Sequence, residues 1–188
     1  MKKAIIFFFI IISAATFAQK GTKLIAGSVG FRLISDKPSS DKYVYLEPKF
    51  GYQFSKTLTA GLDGAFIVRI RDNGNKIENT TTIQVGPFLR YTKPIAGIFS
   101  YFVDFSTGFR SITNSADDPN FTTVKTTGLY SNIVPAIAID LKKGFCLNFS
   151  VGGLNFKTEK ENIPDSGQLT TLEFSFGQSA LFGISKNF

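Results

Sequence analysis

Histidine and tryptophan are missing from this 188-residue chain, and cysteine occurs once, at Cys146. Each absence closes a class of function. Without an imidazole, Ser–His catalysis is excluded, because a general base near neutral pH is most simply a histidine. A His-based metal site is excluded with it, and one thiol makes neither an internal disulfide nor a structural zinc site. No phosphate-cradling glycine loop appears; the glycines sit inside alternating segments. The formal charge is +7, but no run of Lys and Arg forms a nucleic-acid stripe. These residues give no reason to expect a catalytic site, a cofactor, a metal or a nucleic-acid partner.

What is present begins with Met1–Ala18, MKKAIIFFFIIISAATFA. Lys2 and Lys3 form a basic start, Ala4–Ile12 is an unbroken apolar run, and Thr16-Phe17-Ala18 ends on small residues. This pattern predicts a secretory signal peptide cut before Gln19, leaving 19–188 as one domain. The apolar run is too short for a spanning helix, which needs about 20 residues. No cysteine follows the cut, which argues against a lipoprotein.

The rest of the chain alternates with a period of two, the repeat of a strand with unlike faces. Alternation predicts strands over Lys23–Ile34, Tyr43–Ser55, Leu58–Arg71, Thr82–Thr92, Ile98–Arg110, Lys125–Leu141, Phe145–Gly152 and Leu172–Phe188. Gly152-Gly153 is a candidate bulge. Polar stretches between them predict long loops at Asp36–Lys42, Asp72–Asn79, Ile112–Val124 and Thr158–Gln168. Short turns are expected at Ser55–Thr57, at Lys93-Pro94 and at Lys142–Gly144. Connections thus alternate long and short around an even number of strands, as in bacterial membrane barrels.

Charge obeys the same phase. Arg32, Glu47, Lys49, Asp63, Arg69, Arg71, Arg90, Asp104, Arg110, Asp140 and Glu173 all fall on the less apolar face. Lys186 alone lies on the greasy face, near a strand end where it can snorkel. A basic residue on a lipid face costs roughly 2–4 kcal/mol at mid-bilayer and little near the interface. The pattern therefore predicts an all-β fold, an eight-stranded antiparallel up-and-down transmembrane β-barrel, with those eleven residues as an interior ion network. An eight-stranded interior is only wide enough for side chains, so the expected lumen is a salt-bridged plug and not a pore. The acidic residues Asp117, Asp118, Glu159, Glu161 and Asp165 are expected to be solvated loop charges, with a divalent-cation site as the competing reading. The sequons at Asn79 and Asn120 read as chance.

The final strand, LEFSFGQSALFGISKNF (172–188), resembles the closing strand of bacterial outer-membrane β-barrels. VGPFLRYTKP (85–94) and IVPAIAIDLKKGFCLNFSVGGLNF (133–156) are similar to segments of small Bacteroidota barrels of the OmpA/OmpX type. The resemblance implies a place in the cell outer membrane, contact with its lipid and lipopolysaccharide, and recognition by the barrel assembly machinery. It implies that Phe182, Ile184 and Phe188 are the assembly signal, with Lys186 departing from the aromatic usual there. It implies no catalytic residue and names no extracellular ligand.

The expected function is a non-enzymatic envelope barrel that serves structure or surface interaction through four external loops. The alternatives are a narrow channel or transport accessory, and a secreted soluble lipocalin-like barrel in which Phe50, Phe66 and Phe182 would line a cavity.

Overall fold

The computed structural model describes residues 21–118 and 121–188. The expected leader, the expected cut before Gln19 and the Asn120 sequon lie outside those residues. Eight strands follow one another: β1 (Lys23–Asp36), β2 (Ser39–Gln53), β3 (Leu58–Asp72), β4 (Ile77–Ala96), β5 (Phe99–Ala116), β6 (Val124–Lys142), β7 (Phe145–Glu161) and β8 (Gln168–Asn187). Each is antiparallel to the next, and β1 pairs with β8 to close the barrel. Both described chain ends lie at one end, here called the lower end, where Lys23 and Phe188 exchange backbone hydrogen bonds.

The apolar row faces outward. Val29, Phe31, Phe50, Leu62, Phe66, Val85, Phe109, Phe174 and Phe182 are exposed, whereas Thr59, Arg90, Ser100, Asp104 and Ser106 are buried within. Tyr52, Tyr91, Phe99, Phe145 and Phe188 ring the lower end of this belt, the position where aromatic girdles meet the headgroup layer. Exposure of so large an apolar surface is not compatible with water. A closed barrel is one of the two architectures that satisfy every backbone group in hydrocarbon. Lys186 joins this girdle: its ammonium lies 4.1 Å from the centre of the Phe145 ring and 4.9 Å from that of Phe188. Those aromatic faces hold the cation at the interface and account for a charge in the greasy row.

Strands run further than alternation of hydrophobicity marks them. The expected loop Asp36–Lys42 is mostly ladder, with Lys37 and Pro38 alone turning between β1 and β2. The expected loop Asp72–Asn79 shrinks to Asn73–Lys76, and the first parts of the other two, Ile112–Ala116 and Thr158–Glu161, are strand as well. The long–short alternation of connections is therefore weaker than expected. The reason is physical. Above the lipid a strand needs no apolar face, so Ser, Thr, Asn and charged residues continue the ladder without leaving the pattern that marks it. At the lower end the expected turn at Lys93-Pro94 is also strand; Pro94 pairs with Ser100 beside a bulge, and Gly97, with φ +55°, makes the turn.

Three outward prolines each interrupt one ladder and leave the other intact. Pro48 stays in register with Gly27 on β1 but breaks the pairing to β3. Pro87 pairs with Leu62 and breaks toward β5. Pro135 pairs with Val103, and the register to β7 shifts across it. A missing N–H costs only the side it would have served. At Gly152, with φ +130°, β7 bulges and reverses its phase, so Phe149 before it and Leu154 after it both meet outward partners on β6, Ile137 and Ile133.

Candidate functional site

The lumen is built around Asp104. It stands directly opposite Arg90 in the β4–β5 ladder, so the two side chains enter the barrel together. Arg90 Nε donates to Asp104 Oδ1 at 2.6 Å and Arg90 Nη2 to Oδ2 at 2.9 Å. Lys49 crosses from β2 and donates its Nζ to Oδ2 at 2.7 Å. Asp104 is 3% exposed and Arg90 6%. A carboxylate so far from water is tolerable only when it is paired with charged donors, and the fork and the ammonium supply three such hydrogen bonds.

Aromatic rings complete the wall. The Arg90 guanidinium lies 3.9 Å from the centre of the Phe102 ring, and the Lys49 ammonium 5.5 Å from that of Phe88. Both rings point inward and are buried. Phe88 has room because position 51 is glycine: a Cβ there would meet the ring's Cζ at 2.9 Å.

This septum divides the lumen. Above it lies a cavity of about 260 Å³, lined by Glu47, Asp63, Tyr130 and Asn132 among others. Below it lies one of about 370 Å³, lined by Gln53, Thr59, Ser100, Cys146 and Ser185 among others. Arg90, Phe102 and Asn148 border both.

The other inward ions form separate groups. Near the upper end Arg69 binds Asp41 through Nε at 3.0 Å and Nη2 at 2.5 Å, and Arg71 Nη2 lies 4.0 Å from the same carboxylate. The hydrogen bonds from Arg69 hold the Asp41 carboxyl below its ordinary range, with Arg71 and Arg32 adding to the effect. Arg32 itself stacks 5.5 Å from the centre of the Tyr43 ring. Arg110 Nε sits 2.9 Å from Glu159 Oε1. Neither atom makes an aligned hydrogen bond, so this is an ion contact.

Glu47 accepts from Ser28 Oγ at 2.7 Å and Asp63 from Tyr130 Oη at 2.8 Å, both from neutral hydroxyls. Asp140 accepts the backbone N–H of Lys142 at the lower turn, and Glu173 is exposed. The structure thus divides the eleven residues. Asp104 forms a centre with Arg90 and Lys49, Arg69 and Arg71 gather around Asp41, and Arg110 meets Glu159. Arg32 rests on a ring, and the remaining four carboxylates have other roles. Phe182, Ile184 and Phe188 stand exposed on the outer face of β8.

Four participants escape a reading of the sequence for site residues: Asp41, Phe88, Phe102 and Tyr130. Asp41 and Glu159 belong to strands where loops are expected. Asp41 continues the odd-numbered row of Glu47 and Lys49, and that continuity is the available signal. Phe88 and Tyr130 stand out as large rings in a row of small and charged residues. Among the described residues no cluster of three or more acidic or thiol groups is arranged to hold a metal ion, and Glu159 spends its charge on Arg110.

A closed eight-stranded antiparallel barrel, apolar outside and charged within, is the outer-membrane β-barrel fold. Comparison with solved structures agrees. The outer-membrane protein OprG from Pseudomonas aeruginosa is similar over 91% of this chain and 97% of its own, with TM-score 0.53 at 13% identity. A major outer-membrane protein from Thermus thermophilus is similar over 89% and 98%, with TM-score 0.50 at 12% identity. At such identities the likeness is one of fold. No family model matches the chain, and no curated protein matches it in sequence.

Proposed function

We propose that this protein is a non-enzymatic integral barrel of the outer membrane, with a lumen closed by the Asp104 septum, acting through structure or surface interaction at its upper hairpins. The lower end then faces the periplasm, and the barrel meets lipid and lipopolysaccharide along its belt. The observation that carries the reading is the septum: a buried carboxylate held by three hydrogen bonds from two cations, packed on two phenylalanines. Such a group is held as a buried carboxylate by its charged donors, and it stands between the two cavities that a conducting path would have to join.

Planar-bilayer recording tests this. The purified protein is expected to give no discrete conductance steps; steady unit steps would favour the channel reading. The soluble lipocalin-like reading has little support, because Phe50, Phe66 and Phe182 lie on the outer surface. Export by a cleaved leader and recognition of Phe182, Ile184 and Phe188 by the assembly machinery belong to the same proposal. Deleting Phe188 is expected to reduce the heat-modifiable folded band in membranes, measured against unchanged total protein.

A further inference from the structure

Among the described residues the β1–β8 ladder that closes the barrel is shorter than the other ladders. β1 and β8 pair only from Leu24↔Asn187 to Gly27↔Ile184, extended at the bottom by Lys23 and Phe188. Above that, β1 continues to Asp36, fully in register with β2, and β8 extends down from Gln168 against β7. Among the described residues neither pairs with the other along those lengths. The divergence falls at hydrocarbon depth, since Val29, Phe31 and Leu33 on one edge and Phe174, Phe176 and Phe182 on the other belong to the outward apolar belt. Open strand edges are not tolerated in lipid unless something polar meets them or they border a cavity.

They do border one. The upper cavity is walled by Gly27 and Ser28 from the β1 edge and by Leu181, Phe182 and Gly183 from the β8 edge. Phe182, 59% exposed to the outside, also lines this interior space.

Its chemistry is short of cations. Both Lys49 and Arg90 are committed to Asp104. Glu47 and Asp63, which also line it, make no ion pair among the described residues and receive only one hydroxyl each. Asn132 Oδ1, on the opposite wall, is buried without a donor among those residues. Half-buried carboxylates without an ion pair favour a counter-charge, and two of them lining one space with the Asn132 side chain suit a group rich in N–H donors. Val134, Ala136 and Leu181 supply an apolar path from that space toward the two edges.

We propose that the seam between β1 and β8 is a lateral portal, and that the upper cavity binds the ammonium head of a single-chain cationic amphiphile drawn from the membrane. The ammonium lies among Glu47, Asp63 and Asn132, and the alkyl chain leaves between Val29 and Phe182 to rejoin the lipid. The space amounts to roughly nine water volumes, room for a head and its first methylenes and not for a phospholipid. This assignment rests on the membrane-barrel reading.

The test uses the full exported chain in phosphatidylcholine nanodiscs, with a dodecylammonium probe carrying a photoreactive diazirine at the chain end. Heat-modifiable migration is read first on the same sample; its absence overturns the barrel reading itself. Given a folded barrel, saturable labelling is expected on the β1 and β8 edges, displaced by dodecylammonium and not by dodecanol. E47Q/D63N should weaken it at least about tenfold, as expected when a buried charge partner is lost, while keeping the folded gel band. Uniform labelling around the belt, or equal displacement by dodecanol, overturns the amine site. A second variant needs no ligand: V29C/F182C in a C146S background should resist spontaneous disulfide formation, since the two edges are not paired. Complete cross-linking would show a sealed seam and end the proposal.

Discussion

Asp104 shows how much rides on one residue when the dielectric is low. Replacing it by alanine leaves Arg90 a buried cation and Lys49 a half-buried one, both without their carboxylate, a change expected to cost about 3–5 kcal/mol. Urea unfolding followed by the folded-to-unfolded gel shift measures it, and a loss below about 1 kcal/mol would mean that water already solvates the pair. At Gly51 the argument is steric. A valine would press on both the Phe88 ring and Thr59 Cγ2 at 2.9 Å, so G51V is expected to lose about 1–3 kcal/mol by overpacking.

Asp41 gives the pH response. Its pKa is lowered in the folded state by the Arg69 hydrogen bonds, so the contribution is present above the unfolded value, about 3.9, and is lost as pH falls through the lower folded value. Wild type should therefore be more stable than D41N at pH 6. That difference should shrink as the pH falls below the unfolded value, about 3.9, and close once it has passed below the lowered folded value.

At the scale of strands, the sequence shows phase well and length poorly. Inward positions such as Arg90, Asp104 and Asn132 are legible because lipid enforces strict alternation on the segments it touches. The upper parts of β1, β2, β4 and β5 look like loops, since Ser39–Lys42 and Ile112–Ala116 lie where no apolar face is required. Nor can spacing reveal which ions pair. Lys49 reaches Asp104 across the lumen over 55 positions of sequence, and its cross-strand neighbour Asp63 is left to Tyr130. The greasy face carries its own prediction. Phe66, midway along β3 and exposed, should not tolerate arginine: F66R is expected to cost roughly 2–4 kcal/mol, with the same unfolding assay as readout. A near-neutral result would place Phe66 outside the hydrocarbon.

For the whole molecule, the division of the lumen makes a prediction that the fold alone does not. If Arg90 and Phe102 separate the cavities, trimming both should join them. R90A/F102A is expected to convert a silent barrel into one that passes small ions in planar bilayers, whereas the outward variant F105A should remain silent. Silence in both, with the folded band intact, would show that Phe88 and Lys49 suffice to seal the path.

The lone thiol sits at an instructive place. Cys146 borders the lower cavity, beneath the septum, and is partly accessible. A membrane-impermeant, charged sulfhydryl reagent should therefore modify it in sealed vesicles when offered from the side of the chain ends and spare it when offered from the other. The molecule thus carries a native probe of its own sidedness, and a pair of mass measurements, one after labelling from each side, reports both how the barrel is inserted and whether its waist is shut.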